Sequence, residues 1–346
     1  MIRLLWILLV IHYMVIPANA MEFTAPLVPE SGIAYMPSQT DSLGNGLWSI
    51  VKYAITQLHP EIAEAASICL SVVAVVLLAA LLKDIQGNTE QITELAAAIV
   101  IGILFLKPAH SLIALGIETI RTMYDYGKLL LPVMTSALAA QGGITSSAAL
   151  FAGTSLFSAV LVGLINQFLV PLLYVYMVMS IANCALKENM IQKLRDFVKW
   201  ILTWSLKIIL YVFTGYMTIT GVITGTADAS AIRAAKLTIS GVVPMVGSIL
   251  SDASETILIS ASMMKNSVGL YGILALLAVC IGPFIHIGCQ YLMTKITGAV
   301  CSVLGAGKSS SLVEDISKAM GMLLAMTGTV CFLLLIGTVC FMRGVT

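Results

Sequence analysis

The two acidic residues with the clearest potential for chemistry are Asp252 and Glu255, which lie three residues apart in the polar segment 251–256. Two residues at this spacing share one face if the segment is helical. Apolar segments of about ten residues, 239–250 and 257–264, flank them, and each is shorter than the roughly 20 apolar residues that a membrane-spanning helix needs. Ionisable groups at membrane depth mark transport pathways, and half-inserted segments line cavities in transporters. The pattern predicts a polar membrane site, with a solvated surface loop as the alternative.

Three basic residues in the same part of the chain are available to pair with these acids. They are Arg233, Lys236 and Lys265. Residues 228–269 carry three acids and three bases in all. Buried charges need partners of opposite sign, so this balance favours internal pairing over capture of a charged solute. We therefore include the three bases in the candidate polar membrane site.

Catalytic, cofactor-binding and metal-binding patterns are not found in the sequence. The run Gly305-Ala306-Gly307-Lys308-Ser309 lacks the first glycine of a phosphate-binding loop, because that position is Ser302. The seven cysteines form no CxxC pair and lie mostly in apolar runs, where cysteine acts as a small hydrophobic residue. We predict that the protein is not an enzyme and uses no cofactor or metal. The four histidines are scattered, at His12, His59, His110 and His286.

The composition is that of an integral membrane protein. Hydrophobic residues make up 59% of the chain and charged residues 10%, whereas soluble proteins have about 25% charged residues. The net charge of +1 leaves no basic field for nucleic acid. We therefore predict an all-α polytopic membrane protein in contact with lipid, with about six transmembrane helices and two re-entrant or amphipathic helical hairpins.

A faint internal repeat relates two parts of the chain at a constant offset of 112 residues. The prolines Pro132 and Pro171 of the first copy match Pro244 and Pro283 of the second. The first copy also has a polar segment, 141–147, near the position of 251–256 in the second. We predict a parallel repeat, with 118–223 as membrane repeat 1 and 228–343 as membrane repeat 2; chance matches among common apolar residues are the alternative. Pro171 and Pro283 are predicted to bend their helices.

The N-terminal region is predicted to lie outside the cytoplasm. Residues 1–20 have the basic start, apolar core and Ala-x-Ala ending of a signal peptide, with an uncleaved anchor as the alternative. Residues 21–65 form an external N-terminal segment that opens with three prolines, which favour an extended and poorly ordered chain. Apolar positions in 47–58 repeat at helical spacing. This amphipathic helix could lie on the membrane, meet a partner or dock on its own protein.

The remaining spans follow from apolar runs and basic loops. Residues 66–117 are predicted to hold two transmembrane helices, the second from Leu95 to about Ile117, with an early end at Pro108 as the alternative. The basic segments 187–199 and 295–318 are predicted to be cytoplasmic loops. Between the second span and the first of these basic segments, residues 129–186 carry no ionisable acid, base or histidine. We expect a hairpin followed by one proline-bent span there, with two spans turning at Asn166-Gln167 as the alternative.

The segment 228–269 closely resembles the signature region of the stage III sporulation protein AE family. The resemblance is carried by Ala235-Lys236, then Pro244-x-Val246-Gly247, then the Ser-Asp-Ala-Ser-Glu-Thr run at 251–256, and then the Lys-Asn-Ser-Val-Gly run that begins at Lys265. It continues more weakly from about residue 48 to the C-terminal spans.

This resemblance implies a function in sporulation. Members of the family are multi-pass proteins of the mother-cell membrane that surrounds the forespore. They belong to a channel or feeding-tube complex, a secretion-like apparatus that sustains late forespore gene expression. The implied partners are the other proteins of the stage III sporulation A operon, including an ATPase and ring-forming subunits, and indirectly stage II sporulation protein Q. The residues alone also fit a stand-alone secondary transporter or permease, which we keep as the alternative function.

Overall fold

The computed structural model describes residues 24–37, 42–86, 90–185, 189–242, 247–304 and 307–343. The side chains of 59, 61, 83–86, 90–91, 185, 189, 221–242, 247–262, 264 and 307–308 are outside the description. The described residues form helices joined by short turns, and no strand occurs among them. The predicted signal peptide, residues 1–20, lies outside the described residues. In chain order the helices are α1 Glu30–Ile33, α2 Leu43–Thr56, α3 Leu58–Gln86, α4 Glu90–Ala140, α5 Ile144–Leu164, α6 Val170–Ala185, α7 Asn189–Val242, α8 Gly247–Val303 and α9 Gly307–Arg343.

Six helical stretches in the described part of the chain are long and apolar enough to cross a membrane. Each contains most or all of one predicted span, so the prediction of about six transmembrane helices is confirmed at the level of length and composition. The fold fits a multi-pass membrane protein. The six stretches are Ile62–Leu82, Ile92–Ala140, Ile144–Cys184, Met190–Thr220, Lys265–Val303 and Ser309–Arg343.

The helices extend well beyond the predicted spans. Helix α4 has 51 residues, which corresponds to about 77 Å, more than twice the roughly 30 Å hydrocarbon core of a bilayer. It contains both Pro108 and Pro132, so the alternative that Pro108 ends the second helix early is excluded. Prolines are tolerated in membrane helices because neighbouring helices and hydroxyl side chains satisfy the freed backbone groups. The segments 187–199 and 295–318, both predicted as loops, are largely helical, because α7 starts at Asn189, α8 ends at Val303 and α9 starts at Gly307.

Helices α5 and α6 form one continuous apolar stretch through a π-helical turn. The turn covers Ile165–Leu169, and the N–H of Val170 donates to the carbonyl oxygen of Ile165. Pro171 has no N–H to donate, and a wider turn just before it accommodates the missing bond. The chain does not reverse at Asn166-Gln167, so the alternative of two spans in this region is excluded. The prediction of a single proline-containing span is confirmed.

Helix α9 lies at the centre of the helical packing, against α4, α8, α5, α6 and α7. Its contact with α4 is close because small residues of α4 face leucines of α9. A Cβ added to Gly116 would lie 2.8 Å from Leu323 Cδ1, and one added to Gly127 would lie 2.9 Å from Leu334 Cδ2. The two glycines and the two leucines have the same spacing of 11 residues. The two helices therefore run in the same direction in constant register along this contact, as is typical of small-residue interfaces in membranes.

The N-terminal helices pack against α8. Helix α2 is amphipathic, and Ile50 is 1% exposed against Leu274 and Ala278 of α8. Of the three alternatives given for this helix, the structure therefore shows docking on its own protein. A Cβ added to Gly32 of α1 would lie 2.8 Å from a side-chain carbon of Val279. The prediction that this part of the external segment is extended and poorly ordered is therefore wrong for α1, because its contact with α8 fixes it.

The two predicted hairpins are described to different extents. In the first, α4 and α5 meet at a turn that contains Gly142 with a φ of 88°, a left-handed conformation that favours glycine. In the second, the described helices stop at Val242 and resume at Gly247, on either side of Pro244, and α8 then continues through the polar segment 251–256. The parallel repeat and the re-entrant hairpins remain predictions.

Candidate functional site

A cluster of charged residues joins three helices at one end of the bundle. It consists of Tyr176 in the middle of α6, Arg195 in the first two turns of α7, and Asp315 and Lys318 in the third and fourth turns of α9. We call these four residues the charged cluster. Arg195, Asp315 and Lys318 lie within the first four turns of their helices, whereas Tyr176 lies in the middle of α6. The cluster therefore forms where α7 and α9 begin, and Tyr176 reaches it from the side of α6.

Asp315 is the centre of this cluster. Its side chain is 3% exposed and forms an ion pair with Nη1 of Arg195, whose side chain is 9% exposed. The other carboxylate oxygen, Oδ1, accepts hydrogen bonds from the Tyr176 hydroxyl at 3.3 Å and from Lys318 Nζ at 3.2 Å. A buried carboxylate is stable only when its charge and lone pairs are satisfied in this way. Asp315 therefore depends on all three partners.

Two exposed acids also pair with the cations of the cluster, at its edge. Arg195 also donates from Nη2 to Asp196 Oδ1 at 3.0 Å, and Lys318 pairs with Glu314 at 3.1 Å. The side chains of Asp196 and Glu314 are 56% and 60% exposed, so solvent screens these two contacts. Two cations and three anions are thus paired with one another. This arrangement fixes helix positions and has no unpaired charge with which to bind a solute.

The cluster also relates the two basic segments that were predicted to be cytoplasmic loops. Arg195 belongs to 187–199 and Asp315 to 295–318, and the direct ion pair places both segments at the same end of the bundle. The described histidines, cysteines and acids do not gather in any group of three that could hold a metal ion. The run 305–309 lies between α8 and α9, as predicted, rather than between a strand and a helix.

The residues of the predicted polar membrane site lie on two helices. Arg233 and Lys236 belong to α7, and Asp252, Glu255 and Lys265 belong to α8. The side chains of the first four lie outside the described residues, whereas Lys265 is buried, at 3% exposed. Because α8 is a continuous helix, Lys265 is separated along its axis by about 20 Å from Asp252 and about 15 Å from Glu255. A direct ion pair across that distance does not form, and the site remains a prediction.

Sequence reasoning did not single out the charged cluster. Its contacts join residues that are 120 and 139 positions apart in the chain, and no local pattern records such a pairing. One signal was present, because Glu314, Asp315 and Lys318 place two acids and a base on neighbouring positions of one helix. That signal indicates a charged helix end but does not indicate its partners on α6 and α7.

Comparison with known proteins shows which family the chain belongs to. The model of the family described as stage III sporulation protein AE matches residues 36–344, which is most of the chain. The chain belongs to the stage III sporulation protein AE family. A curated relative, stage III sporulation protein AE of Bacillus subtilis (strain 168), is 27% identical over 236 residues. That alignment covers 68% of this chain and 59% of the relative, so the chain matches well under two thirds of the relative's length. No solved structure matches the chain.

Membership in the stage III sporulation protein AE family extends over the features described above. The matched residues include α2, the six apolar stretches, the charged cluster and the segment 228–269. The family resemblance inferred from that segment is therefore confirmed, and it extends over more of the chain than the segment itself.

Proposed function

We propose that the protein is a membrane core subunit of the sporulation stage III channel complex, the feeding-tube assembly that connects the mother cell and the forespore. In this proposal it lies in the mother-cell membrane around the forespore and is needed for late forespore gene expression. It has no enzymatic role of its own. The observation that carries the proposal is the family match over residues 36–344 of a chain with six apolar stretches of membrane-spanning length.

The packing of the described residues supports a subunit role more than that of a lone pore. The contacts among α4, α8 and α9 are filled by buried apolar side chains. Met123, Leu276 and Leu323 are each at most 1% exposed in this core. A packed apolar centre does not conduct water or ions, so we propose that conduction needs further subunits. A purely permease-like role is the less favoured alternative.

The proposed partners divide between the two sides of the membrane. We place the end that carries the charged cluster in the cytoplasm of the mother cell, because the short segment 187–199 is the most basic in the chain. An ATPase would act at that end, since the chain itself has no phosphate-binding loop. The ring-forming subunits, and through them stage II sporulation protein Q, would meet the opposite end, where we place the external N-terminal segment.

Affinity purification from sporulating cells tests this function. The expected result is that the tagged full chain co-purifies the operon-encoded ATPase and ring-forming subunits, and that its deletion abolishes a late forespore reporter. The purified protein alone, reconstituted in lipid vesicles, should transport no solute. Solute flux by the protein alone, together with normal reporter activity in the deletion strain, would instead support the stand-alone transporter.

The polar membrane site is part of the same proposal. Replacing both acids in Asp252→Ala/Glu255→Ala is expected to reduce spore yield without lowering the amount of protein. The matched control is Glu118→Ala/Asp125→Ala, which removes two exposed acids from α4. Normal spore yield in the first variant would show that no functional site lies at these residues.

The re-entrant hairpins are also proposed rather than established. If the second hairpin dips into the membrane from outside, a single cysteine at position 252 should react slowly with an impermeant maleimide. A cysteine in the external segment, at position 41, should react fast. Equal rates at the two positions would show that 251–256 is a surface segment.

A further inference from the structure

A groove with three lysines runs between α7 and α9 and is closed on one side by Tyr291 of α8. We call it the basic groove, and its volume is about 420 Å³. Its lysines are Lys199 and Lys207 of α7 and Lys318 of α9. Its other lining residues are mostly apolar, and they include Leu206, Leu210 and Met322. No acid lines it, so the groove combines a positive charge with an apolar wall.

The dimensions of the basic groove match one leaflet of a membrane. Along α7 it extends from Lys199 to Leu210, and along α9 from Lys318 to Thr329. Both distances are eleven residues, which corresponds to about 16 Å of helix. This is about half of the roughly 30 Å hydrocarbon core. Both helices run away from the charged cluster, so the groove begins at Lys318 of the cluster on α9, and about one helical turn after Arg195 on α7, and descends into the span.

Aromatic residues mark the level of the membrane interface at the mouth of the groove. Phe197 and Trp200 stack with ring centroids 6.1 Å apart, and Trp200 lies 6.0 Å from Trp204. The two tryptophans are 54% and 47% exposed. Exposed tryptophans on a spanning helix lie at the headgroup level. Lys199 is next to Trp200 in the chain, and Lys207 is within one turn of Trp204, so flexible stems can carry both ammonium groups to that level.

The charges of the three lysines are not equally available. Lys318 is paired with Glu314 and Asp315. Lys199 and Lys207 form no ion pair with any acid whose side chain the structure describes. Two cations with no such acid partner therefore face a groove that has the depth of a leaflet. An anionic headgroup would neutralise them, while an acyl chain would cover the apolar wall.

From this arrangement we infer that the basic groove binds an anionic glycerophospholipid. The phosphate lies between the ammonium groups of Lys199 and Lys207, and one acyl chain lies along Leu210, Met322 and Ala325. The charge requirement distinguishes such a lipid from a zwitterionic lipid, which presents no net negative charge to the two lysines. This inference does not depend on the proposed sporulation function, because it rests only on the groove.

Native mass spectrometry of the full-length protein tests the inference. The protein is released from nanodiscs of phosphatidylcholine with and without phosphatidylglycerol, and retained lipids are counted. We expect one phosphatidylglycerol to be retained in preference to phosphatidylcholine. Each lysine is expected to contribute about fivefold to the affinity for the anionic lipid, so Lys199→Gln/Lys207→Gln should weaken it about 30-fold. The matched control is Lys193→Gln, an exposed lysine of α7 outside the groove, which should retain the lipid.

A second variant tests the apolar part of the groove without changing any charge. Ala325 is exposed and lines the groove, so Ala325→Phe should obstruct the acyl chain and reduce phosphatidylglycerol retention. Adding phosphatidylglycerol should raise the Tm of the wild-type protein in detergent, whereas inorganic phosphate should not.

Three results would overturn the inference. The first is equal retention of the two lipids by the wild-type protein, and the second is unchanged retention in Lys199→Gln/Lys207→Gln. The third is a rise in Tm with inorganic phosphate as large as that with phosphatidylglycerol, which would indicate a site for a free anion. The reporter and co-purification assays of the proposed function are separate measurements, so failure of one proposal leaves the other intact.

Discussion

Two faces of α9 make contacts of opposite kinds. On the face toward α4, Leu323 and Leu334 fit over Gly116 and Gly127, and the helices approach closely. On the face toward α7, α9 also presents small residues, Gly321 and Ala325, but the basic groove lies between the two helices there. A small residue that a large partner side chain covers closes an interface, whereas small residues that line an unfilled groove leave space between the helices. The same helix therefore provides a packed core on one face and a binding surface on the other.

The charged cluster explains how α7 is held against the face of α9 that carries the basic groove. Apolar packing along the groove is incomplete, so α7 needs another attachment to α9. Arg195 and Asp315 supply it at the end of the groove, and Tyr176 extends it to α6. We therefore predict that substitutions in the charged cluster, or on the face of α9 toward α4 (the closed face), lower the free energy of unfolding strongly. Substitutions in the basic groove should lower it little.

The largest expected effect is on the cluster. Arg195→Ala leaves Asp315 buried without its main partner, and breaking a buried ion pair costs about 3–5 kcal/mol. We expect a loss of this size in the free energy of unfolding, measured by denaturant titration in detergent micelles. The control is Lys193→Ala, an exposed lysine on the same helix, for which a change below about 0.5 kcal/mol is expected. A comparable loss in the two variants would contradict the cluster's structural role.

A smaller loss is expected on the closed face. Gly116→Leu inserts a side chain where Leu323 already lies, and overpacking costs about 1–3 kcal/mol. The control is Gly215→Ala on α7, where an added Cβ would meet nothing within 4 Å. Thermal unfolding in detergent should show a lower Tm for Gly116→Leu and no loss for Gly215→Ala. An unchanged Tm in Gly116→Leu would mean that α4 and α9 do not approach closely here.

The hydroxyl group of Tyr176 is expected to contribute about 1.5 kcal/mol. Tyr176→Phe removes one hydrogen bond to the buried Asp315 and keeps the ring, and bonds to charged groups are worth about 1.5–3 kcal/mol. The lower value is expected because the bond is 3.3 Å long. Tyr174→Phe, in the same helix, is the control. If the two variants unfold at the same denaturant concentration, the bond to Asp315 does not contribute.

The smallest effect is expected in the groove. Ala325→Phe adds a large side chain, as Gly116→Leu does, but into a space of about 420 Å³. We expect a change in the free energy of unfolding below about 0.5 kcal/mol. A loss as large as that of Gly116→Leu would show that the groove is closed in solution, and the contrast between the two faces of α9 would be lost.

Much of the fold was accessible from the sequence. Apolar runs depend on local composition, so the six spans and the docked amphipathic helix around Ile50 could be predicted. The lengths of the helices could not, because Pro108 and Pro132 are local helix breakers whose effect is overcome by packing in the bundle. The helical course of 251–256 agrees with the interpretation that Asp252 and Glu255 share one face of a helix, for which the three-residue spacing was the signal.

The candidate sites show the same difference between features that are local in the chain and features that depend on packing. The acids Asp252 and Glu255 were found because they are three residues apart, but whether they act together remains a prediction. Arg195 and Asp315 were not paired, because 120 residues separate them. Only the close parallel packing of the helix ends brings them together. Spacing in the chain therefore finds sites within one helix and misses sites that are assembled from several.

The most direct test of the structure is a charge exchange between Arg195 and Asp315. The single variants Arg195→Asp and Asp315→Arg each place two like charges in the cluster and should strongly lower the free energy of unfolding. The double variant Arg195→Asp/Asp315→Arg restores opposite charges and should recover part of the loss, with a coupling of about 0.5–3 kcal/mol. A double variant whose loss equals the sum of the two single losses would contradict the contact between α7 and α9, and with it the placement of both basic segments at one end of the bundle.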